Sequence, residues 1–251
     1  MSDEPIGLLE GLATTRAIRR FRPDPIPDDD LATILWHASR APTGSNRQSF
    51  RFLVLRDGPN AAQAKALLGD AFRAQWSGKR RGDGYQAGSG ADPTSPKARM
   101  AASMQQFVDR FEETPVVVLV CTHLVRGHLS DGGNVYPACQ NLLLAARATG
   151  YGGVMTMWHF GVEDQLRSLL GIPPEVGLAA TIALGRPEGH HGPVRRRPLG
   201  ELVYEDGWDQ PAPWAIDPPG TRFTSSGPPR PPAPAVPGPP SPPAGPGAEG
   251  G

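Results

Sequence analysis

Apolar positions recur at two different periods between residues 6 and 185, and each period predicts its own kind of element. The helical spacing i, i+3, i+4, i+7 predicts amphipathic helices over residues 6–14, 28–38, 61–76, 98–111, 136–148 and 162–170. Short apolar runs predict strands over residues 51–56, 116–121, 154–158 and 178–185. The run from Val116 to Cys121 is apolar on both faces, which is typical of a central strand. Asp28 is the expected N-cap of the second helix.

The helix over residues 136–148 is apolar on nearly every side. Such a helix is buried on every side, either deep in a large core or between two subunits. For one domain of moderate size we favour the second arrangement. The pattern therefore predicts a homodimer with this helix at its centre.

Residues 77–97 show no periodicity and contain several glycines, arginines and prolines. A loop of this length in a compact chain is usually a functional lid or a disordered insertion. We expect it to cover a ligand site and to select the substrate.

The last part of the sequence has a different composition from the rest. About half of the chain's 30 prolines follow Gln210, together with many glycines and few apolar residues. Such a segment cannot bury enough surface to offset its chain entropy. The composition predicts one folded domain over residues 1–210 and a disordered tail rich in proline and glycine over residues 211–251.

Charge and cysteine content exclude several classes of protein. Lys plus Arg and Asp plus Glu each number 25, which argues against a partner that is a nucleic acid or a membrane surface. Cys121 and Cys139 lie in apolar surroundings, and the histidines lack metal-ligand spacing, so we expect reduced core thiols and no metal site. The N-terminus lacks the pattern of a signal peptide, and no apolar run reaches membrane-spanning length. These features favour a cytoplasmic protein.

Two kinds of segment carry candidate chemistry. The stretch 41–48 combines small residues with Asn46 and Gln48, so its backbone can approach a flat ligand and its amides can bond the ligand's polar edge. An ordinary turn between a helix and a strand would have a similar composition. Residues 16–22 contain four arginines and residues 195–197 three more, which indicates an anionic ligand or a solvated basic surface.

The order and spacing of four motifs resemble the nitroreductase family of flavin enzymes. The motifs are Thr-Thr-Arg-Ala-Ile-Arg-Arg-Phe at 14–21, Ala-Pro-Thr-Gly-Ser-Asn-Arg-Gln at 41–48, Pro-Ala-Cys-Gln-Asn-Leu-Leu-Leu-Ala-Ala-Arg at 137–147 and Gly-Pro-Val-Arg-Arg-Arg-Pro-Leu at 192–199. The resemblance implies an α+β fold, in which helices flank a mostly antiparallel central sheet and FMN binds at a homodimer interface. It also implies NADH or NADPH as the electron donor and a small-molecule acceptor such as a nitroaromatic or a quinone.

The resemblance also assigns cofactor-binding residues by position. They are Arg16, Ala17, Arg19, Pro42, Thr43, Gly44, Asn46, Arg195 and Arg197. Arg16, Arg195 and Arg197 would bind the FMN phosphate, and Arg19 would place a positive charge near the pyrimidine edge of the ring. Many relatives have an arginine and a serine where this chain has Thr15 and Ala17, so the Thr15 hydroxyl would replace one of two lost phosphate donors.

No acid, base or nucleophile constellation stands out, and no catalytic side chain is assigned, because flavin N5 carries the hydride. One open ring face serving donor and acceptor in turn predicts ping-pong kinetics. Two alternatives stay open. In the first, the chain is a catalytically silent protein that binds FMN or another nucleotide. In the second, it belongs to a branch of the same family that dehalogenates, reduces double bonds or cleaves flavin.

Overall fold

The apolar run at 116–122 is an inner strand of a four-stranded sheet in the computed structural model of the chain. The strands are β1 (Phe50–Leu55), β2 (Val116–Thr122), β3 (Gly152–Thr156) and β4 (Gly177–Gly185). Their order in the sheet is β1-β2-β4-β3, and every neighbouring pair is antiparallel. Each residue of β2 is buried, as expected for a strand that is apolar on both faces.

The structure describes residues 6–123, 129–189 and 194–223. The chain forms two compact units, Met1–Val194 and Arg195–Gly251. The sheet and all the α-helices of the described part belong to the first unit. Among the described residues, no helix has both the length and the apolar character needed to cross a membrane.

Helices cover both faces of the sheet. They are α1 (Leu8–Thr14), α2 (Asp28–Ala38), α3 (Pro59–Gly82), α4 (Pro96–Asp109), α5 (Tyr136–Ala148) and α6 (Glu163–Leu170). Val117 and Leu119 belong to one core cluster with buried residues of α3, α4 and α6, whereas Val118 and Val120 belong to another with α2 and α5. The period-2 alternation of β2 thus places its side chains in two separate cores. The predicted α+β fold with a mostly antiparallel sheet is confirmed.

The helix predicted at 136–148 is present as α5 with the same bounds. Within the chain it buries one side, through Ala138, Cys139, Leu142 and Ala146. The short helix α1 packs beside it. The exposed fractions of Leu8, Leu9 and Leu12 on α1 are 72%, 79% and 51%, so this end of the molecule presents leucines to solvent.

The prediction of a long irregular loop over residues 77–97 is wrong at both ends of that range, and only residues 83–95 lie outside the α-helices. Helix α3 continues through Ser77 as far as Gly82, a 3-10 turn covers Gly88–Ala91, and α4 begins at Pro96. The extension is held by Trp76 and Arg80, which both donate hydrogen bonds to Gln105 on α4, and by an ion pair between Lys79 and Asp83. The two hydrogen bonds to Gln105 join α3 to α4, so local sequence alone could not reveal them.

The expected role of Asp28 as an N-cap is also wrong. Pro27 is the N-cap of α2, and it makes no side-chain cap bond. Asp28 is the first helical residue, and its carboxylate pairs with Arg56 at the end of β1. Three acidic residues in the first turn, Asp28–Asp30, still complement the positive end of the helix dipole.

The second unit is made of turns and isolated bridges in its described part. A 3-10 turn covers Leu199–Glu201, and bridges join Tyr204 to Pro211 and Arg196 to Phe223. Of the predicted tail, residues 211–223 take part in these turns and bridges, and residues 224–251 lie outside the described residues. The division of the chain at residue 210 stays a prediction.

Candidate functional site

The first arginine segment lies along β3 and the end of β4. Ile18 donates a backbone hydrogen bond to Gly153 on β3, and Arg22 donates one to Arg186 just after β4. Glycine is needed for this close approach, because a Cβ atom on Gly152 would lie 2.6 Å from the Ile18 side chain. Ile18 is buried by this packing, whereas Arg16 and Ala17 stay exposed and Arg19 is half-buried.

Arg19 is a desolvated cation. Burial lowers the pKa of its guanidinium, and the nearby charge of Arg16 lowers it further, while Tyr85 raises it. Among the described residues, no carboxylate forms an ion pair with Arg19. Two arginines held close together without a carboxylate on Arg19 form a site that an anion would stabilise.

The hydroxyl of Thr15 adds an unsatisfied polar group beside these arginines. Its Oγ1 atom is buried and has no hydrogen-bond partner in the described part of the chain. Leaving a buried polar group unpaired costs about 1–3 kcal/mol. Arg16 and the unpaired Thr15 hydroxyl are groups that a phosphate or another oxyanion would satisfy, which is one of the two interpretations that the sequence left open for residues 16–22.

Arg19 also borders a cleft of about 440 Å³ between α3, α4 and β3. The walls are mainly aromatic and methionine side chains, and the polar lining residues are Arg19, Lys79, Tyr85 and Thr156. The aromatic and methionine residues are Trp76, Met100, Met104, Phe107, Met155, Met157 and Trp158. A cleft of this size and lining suits a flat organic ring with a negatively charged edge.

Sequence reasoning missed most of this cleft. Tyr85 lies in the segment between α3 and α4, where its ring packs against Trp76 at 5.2 Å between centroids and below the ammonium of Lys97. Trp76 and Lys79 lie on successive turns of α3, so a helix continued past Ser77 would have placed both beside one cleft. Because the apolar periodicity breaks at Ser77, the sequence did not indicate that Trp76 and Lys79 lie on the same helix.

The stretch 41–48 forms a strained turn at the entrance to β1. Ser45, Asn46 and Gln48 all have positive φ angles, of 54°, 50° and 48°. Left-handed backbone in residues other than glycine costs of the order of 1 kcal/mol each and is often found at functional sites. Pro42, Gly44 and Asn46 are exposed, and Thr43 accepts a bond from the Gln48 N–H. The turn is therefore ordered and presents its predicted contact residues outward.

One chain does not bring the two candidate segments together. The 41–48 turn leads into Phe50, which pairs with Thr122 at one end of the sheet on edge strand β1. Ile18 contacts the other edge strand, β3, near Gly185 at the opposite end. Neighbouring strands lie roughly 4.8 Å apart and each residue of a strand advances roughly 3.3 Å. The diagonal from one corner of the sheet to the other, which separates the two segments, is therefore roughly 25 Å.

The second arginine cluster belongs to the second unit. Arg195 is exposed and Arg197 is half-buried. Arg196 donates a hydrogen bond from its guanidinium to the Arg195 carbonyl. The assignment of Arg195 and Arg197 to a phosphate stays a prediction.

Cysteine and metal chemistry find no support in the described residues. Burial raises the pKa of Cys121 to about 11 and that of Cys139 to about 12, so both thiols are neutral near pH 7. Both cysteines are free and buried, as the sequence predicted. No group of three or more His, Cys, Asp or Glu side chains that could hold a metal ion occurs in the described part.

His159 follows β3 closely, but its contacts are structural. Its side chain is fully buried, with Nε2 3.1 Å from the Leu178 carbonyl oxygen and Nδ1 3.2 Å from the Thr181 hydroxyl. The carbonyl can only accept, so Nε2 carries the proton and Nδ1 of the neutral ring accepts from Thr181. Burial lowers the pKa of His159.

Protonation of His159 should destabilise the fold below about pH 6.5, where an unfolded histidine becomes charged. With the folded pKa depressed, the unfolded state binds more protons, so the free energy of unfolding falls by up to about 1.4 kcal/mol per pH unit. Urea denaturation between pH 7.5 and 5 measures this slope. His159→Gln should show a smaller slope than the parent, whereas the exposed His37→Gln should keep it; equal slopes in all three proteins would contradict the assignment.

Similarity to known proteins extends over most of the chain. The model of the Nitroreductase family matches residues 12–186. The chain is 29% identical over 199 residues to an NADH dehydrogenase of Thermus thermophilus, covering 75% of this chain and 90% of that protein. It is 27% identical over 212 residues to a 5,6-dimethylbenzimidazole synthase of Rhodospirillum rubrum, covering 80% and 88%. A solved nitroreductase-like structure from Desulfovibrio desulfuricans, in complex with FMN, has a TM-score of 0.58 and 25% identity, covering 82% of this chain and 99% of its own.

Proposed function

We propose that this chain, which belongs to the nitroreductase family, is an FMN-dependent oxidoreductase that transfers electrons from NADH or NADPH to a nitroaromatic, a quinone or a related oxidised organic acceptor. The observation that carries the proposal is Arg19, a half-buried cation without a carboxylate partner in the described part, at the edge of an aromatic cleft. A relative named NADH dehydrogenase and a similar structure that holds FMN support the same chemistry.

The residues that would hold FMN are those with unsatisfied donors or positive charge. Arg16 and the Thr15 hydroxyl would bind the phosphate. Arg19 would lie near the pyrimidine edge of the ring, where its charge stabilises negative charge. The bound FMN would supply the redox chemistry, by accepting a hydride from the nicotinamide and passing reducing equivalents to the acceptor.

The cleft lining supplies binding and orientation. Its apolar walls would exclude water and leave room for one flat molecule at a time against the ring. Tyr85 and Thr156 offer hydroxyl groups to an acceptor oxygen, and among the described residues that line the cleft there is no carboxylate to repel the partial negative charge of a nitro or quinone oxygen. We propose that donor and acceptor use this space in turn. We also propose that the protein works in a reducing cytoplasm, which suits its two buried thiols.

A homodimer would complete the site. The 41–48 turn and the arginine segment lie at opposite ends of the sheet in one chain, so Pro42, Thr43, Gly44 and Asn46 would contact the FMN held by the other subunit's arginines. The exposed leucines of α1, beside α5, provide an apolar surface that a second copy would cover.

Two other functions share this site. A catalytically silent protein would bind FMN without turning over, and a relative named 5,6-dimethylbenzimidazole synthase points to other chemistry within related proteins. Reduction of the bound cofactor by NADH or NADPH, followed by reoxidation with an external acceptor, would distinguish the proposed function from both.

The purified full-length protein should be yellow and release FMN, identified by mass spectrometry. When NADH or NADPH and a nitroaromatic or quinone are varied against each other, double-reciprocal plots should give parallel lines, because one cleft serves both substrates in turn. Intersecting lines would show that both substrates bind together. A colourless protein that gains no flavin on incubation would refute the proposed function.

Arg19 and Arg16 should affect different steps. Arg16→Ala should weaken FMN binding by about 1.5–3 kcal/mol, because it leaves phosphate charge unpaired. At saturating FMN, Arg19→Ala should slow flavin reduction in stopped-flow measurements about tenfold more than Arg16→Ala does, because Arg19 faces charge that develops during the reaction. Arg20→Ala in the same segment is the control and should resemble the parent. Equal rates of flavin reduction for Arg19→Ala and the parent would show that Arg19 has only a structural role.

A site shared between subunits should show complementation. One variant carries Arg16→Ala and Arg19→Ala, and the other carries Gly44→Val and Asn46→Ala, so neither should bind FMN well by itself. Random mixing would make about half of the dimers mixed, each with one intact site, and should restore about a quarter of the parent's FMN-binding capacity. Recovery is measured after co-expression or joint refolding, and its absence would place both segments in separate sites.

A further inference from the structure

Asn134 joins the 41–48 turn to the interface helix. It is the last residue of the 3-10 turn Leu129–Asn134, directly before Val135 and α5. Its amide oxygen lies 2.8 Å from the backbone nitrogen of Gly44, which donates the hydrogen bond across 90 positions of sequence. Because the Gly44 N–H needs an acceptor, the oxygen of the Asn134 amide must face it.

The turn is attached at its two ends, where Ala41 is buried and Arg51 of β1 donates a hydrogen bond to the Gln48 carbonyl, so its middle needs an attachment of its own. The bond from the Gln48 N–H to the Thr43 hydroxyl and the bond from the Gln48 amide to Asn46 join residues of the turn to one another. They preserve its shape but do not locate it relative to the rest of the protein. Three left-handed residues within four positions also give the turn reason to relax into another conformation.

Glycine at position 44 allows the attachment to be close. A Cβ atom there would lie 3.3 Å from the Asn134 amide oxygen, which is tighter than most contacts of this kind. Gly44 therefore suits this bond because it has no side chain to keep Asn134 away from its N–H. Asn134 suits it because its short side chain places an acceptor oxygen next to the start of a helix.

We propose that Asn134 is a positioning residue for the FMN site. By accepting from Gly44, it holds Pro42–Asn46 in the orientation that contacts the cofactor, and it ties that turn to the helix α5 at the expected subunit interface. The inference rests on the proposed function, since the turn's role is to contact FMN.

The experiment compares four full-length proteins: the parent, Asn134→Ala, Asn134→Asp and Asn60→Ala. The aspartate keeps an acceptor oxygen of the same reach, and Asn60 is an exposed asparagine on α3 that controls for the loss of an amide. Hydrogen–deuterium exchange of the 41–49 peptide in apoprotein reports how the turn is held. FMN affinity by fluorescence titration and the melting temperature of apoprotein are measured on the same samples.

Asn134→Ala should speed exchange in the 41–49 peptide and weaken FMN binding about tenfold, with an apoprotein melting temperature close to that of Asn60→Ala. Asn134→Asp should exchange like the parent and recover FMN affinity to within about threefold. Unchanged exchange in Asn134→Ala, equal defects in Asn134→Ala and Asn134→Asp, or a loosened turn with unchanged FMN affinity would overturn the inference. A parent that binds no FMN would refute the proposed function, and the exchange data would still decide whether Asn134 holds the turn.

Discussion

Burial of β2 is the constraint on which the first unit depends. A strand that is apolar on both faces must be covered on both, and its alternate side chains require two separate helical layers. Each fully buried aliphatic side chain contributes about 1.5–3 kcal/mol, so β2 outweighs any single polar contact in the unit. With β2 and β4 as the inner strands, β1 and β3 are the two edges, and the two candidate segments lie on these opposite edges.

Close backbone packing of the arginine segment against the sheet determines how far its charged side chains are buried. Gly152 lets Ile18 lie directly on β3, and Gly185 lets Phe21 pack within 3 Å of where a Cβ would be. This packing half-buries Arg19 beside Arg16, and the described residues supply Arg19 with no carboxylate. An anion bound at Arg19 would offset the cost of burying that cation, and this links the sheet's packing to the chemistry of the cleft.

The turn before β1 is the second place where backbone conformation and chemistry meet. Its left-handed residues are maintained by bonds within the turn and by Asn134 at the start of α5. A change in the position of α5 would therefore move the turn. Because α5 also packs beside α1, whose leucines are exposed, formation of the proposed dimer and formation of the cofactor contacts are expected to depend on each other.

Local sequence determined the elements with strong periodicity, namely the buried strand β2, the helix α5 and the family motifs of residues 14–21 and 41–48. It also indicated an anion partner, because four arginines in seven positions exceed what packing requires. The tertiary structure decided what no local pattern contains. The extension of α3 past Ser77 depends on hydrogen bonds from Trp76 and Arg80 to Gln105, which is distant in sequence. The lining of the cleft, the bond between Gly44 and Asn134, and the lack of a carboxylate partner for Arg19 within the described part of the chain likewise arise between elements. Periodicity reports which side of an element is buried, but the neighbours it meets are set by the order of the strands.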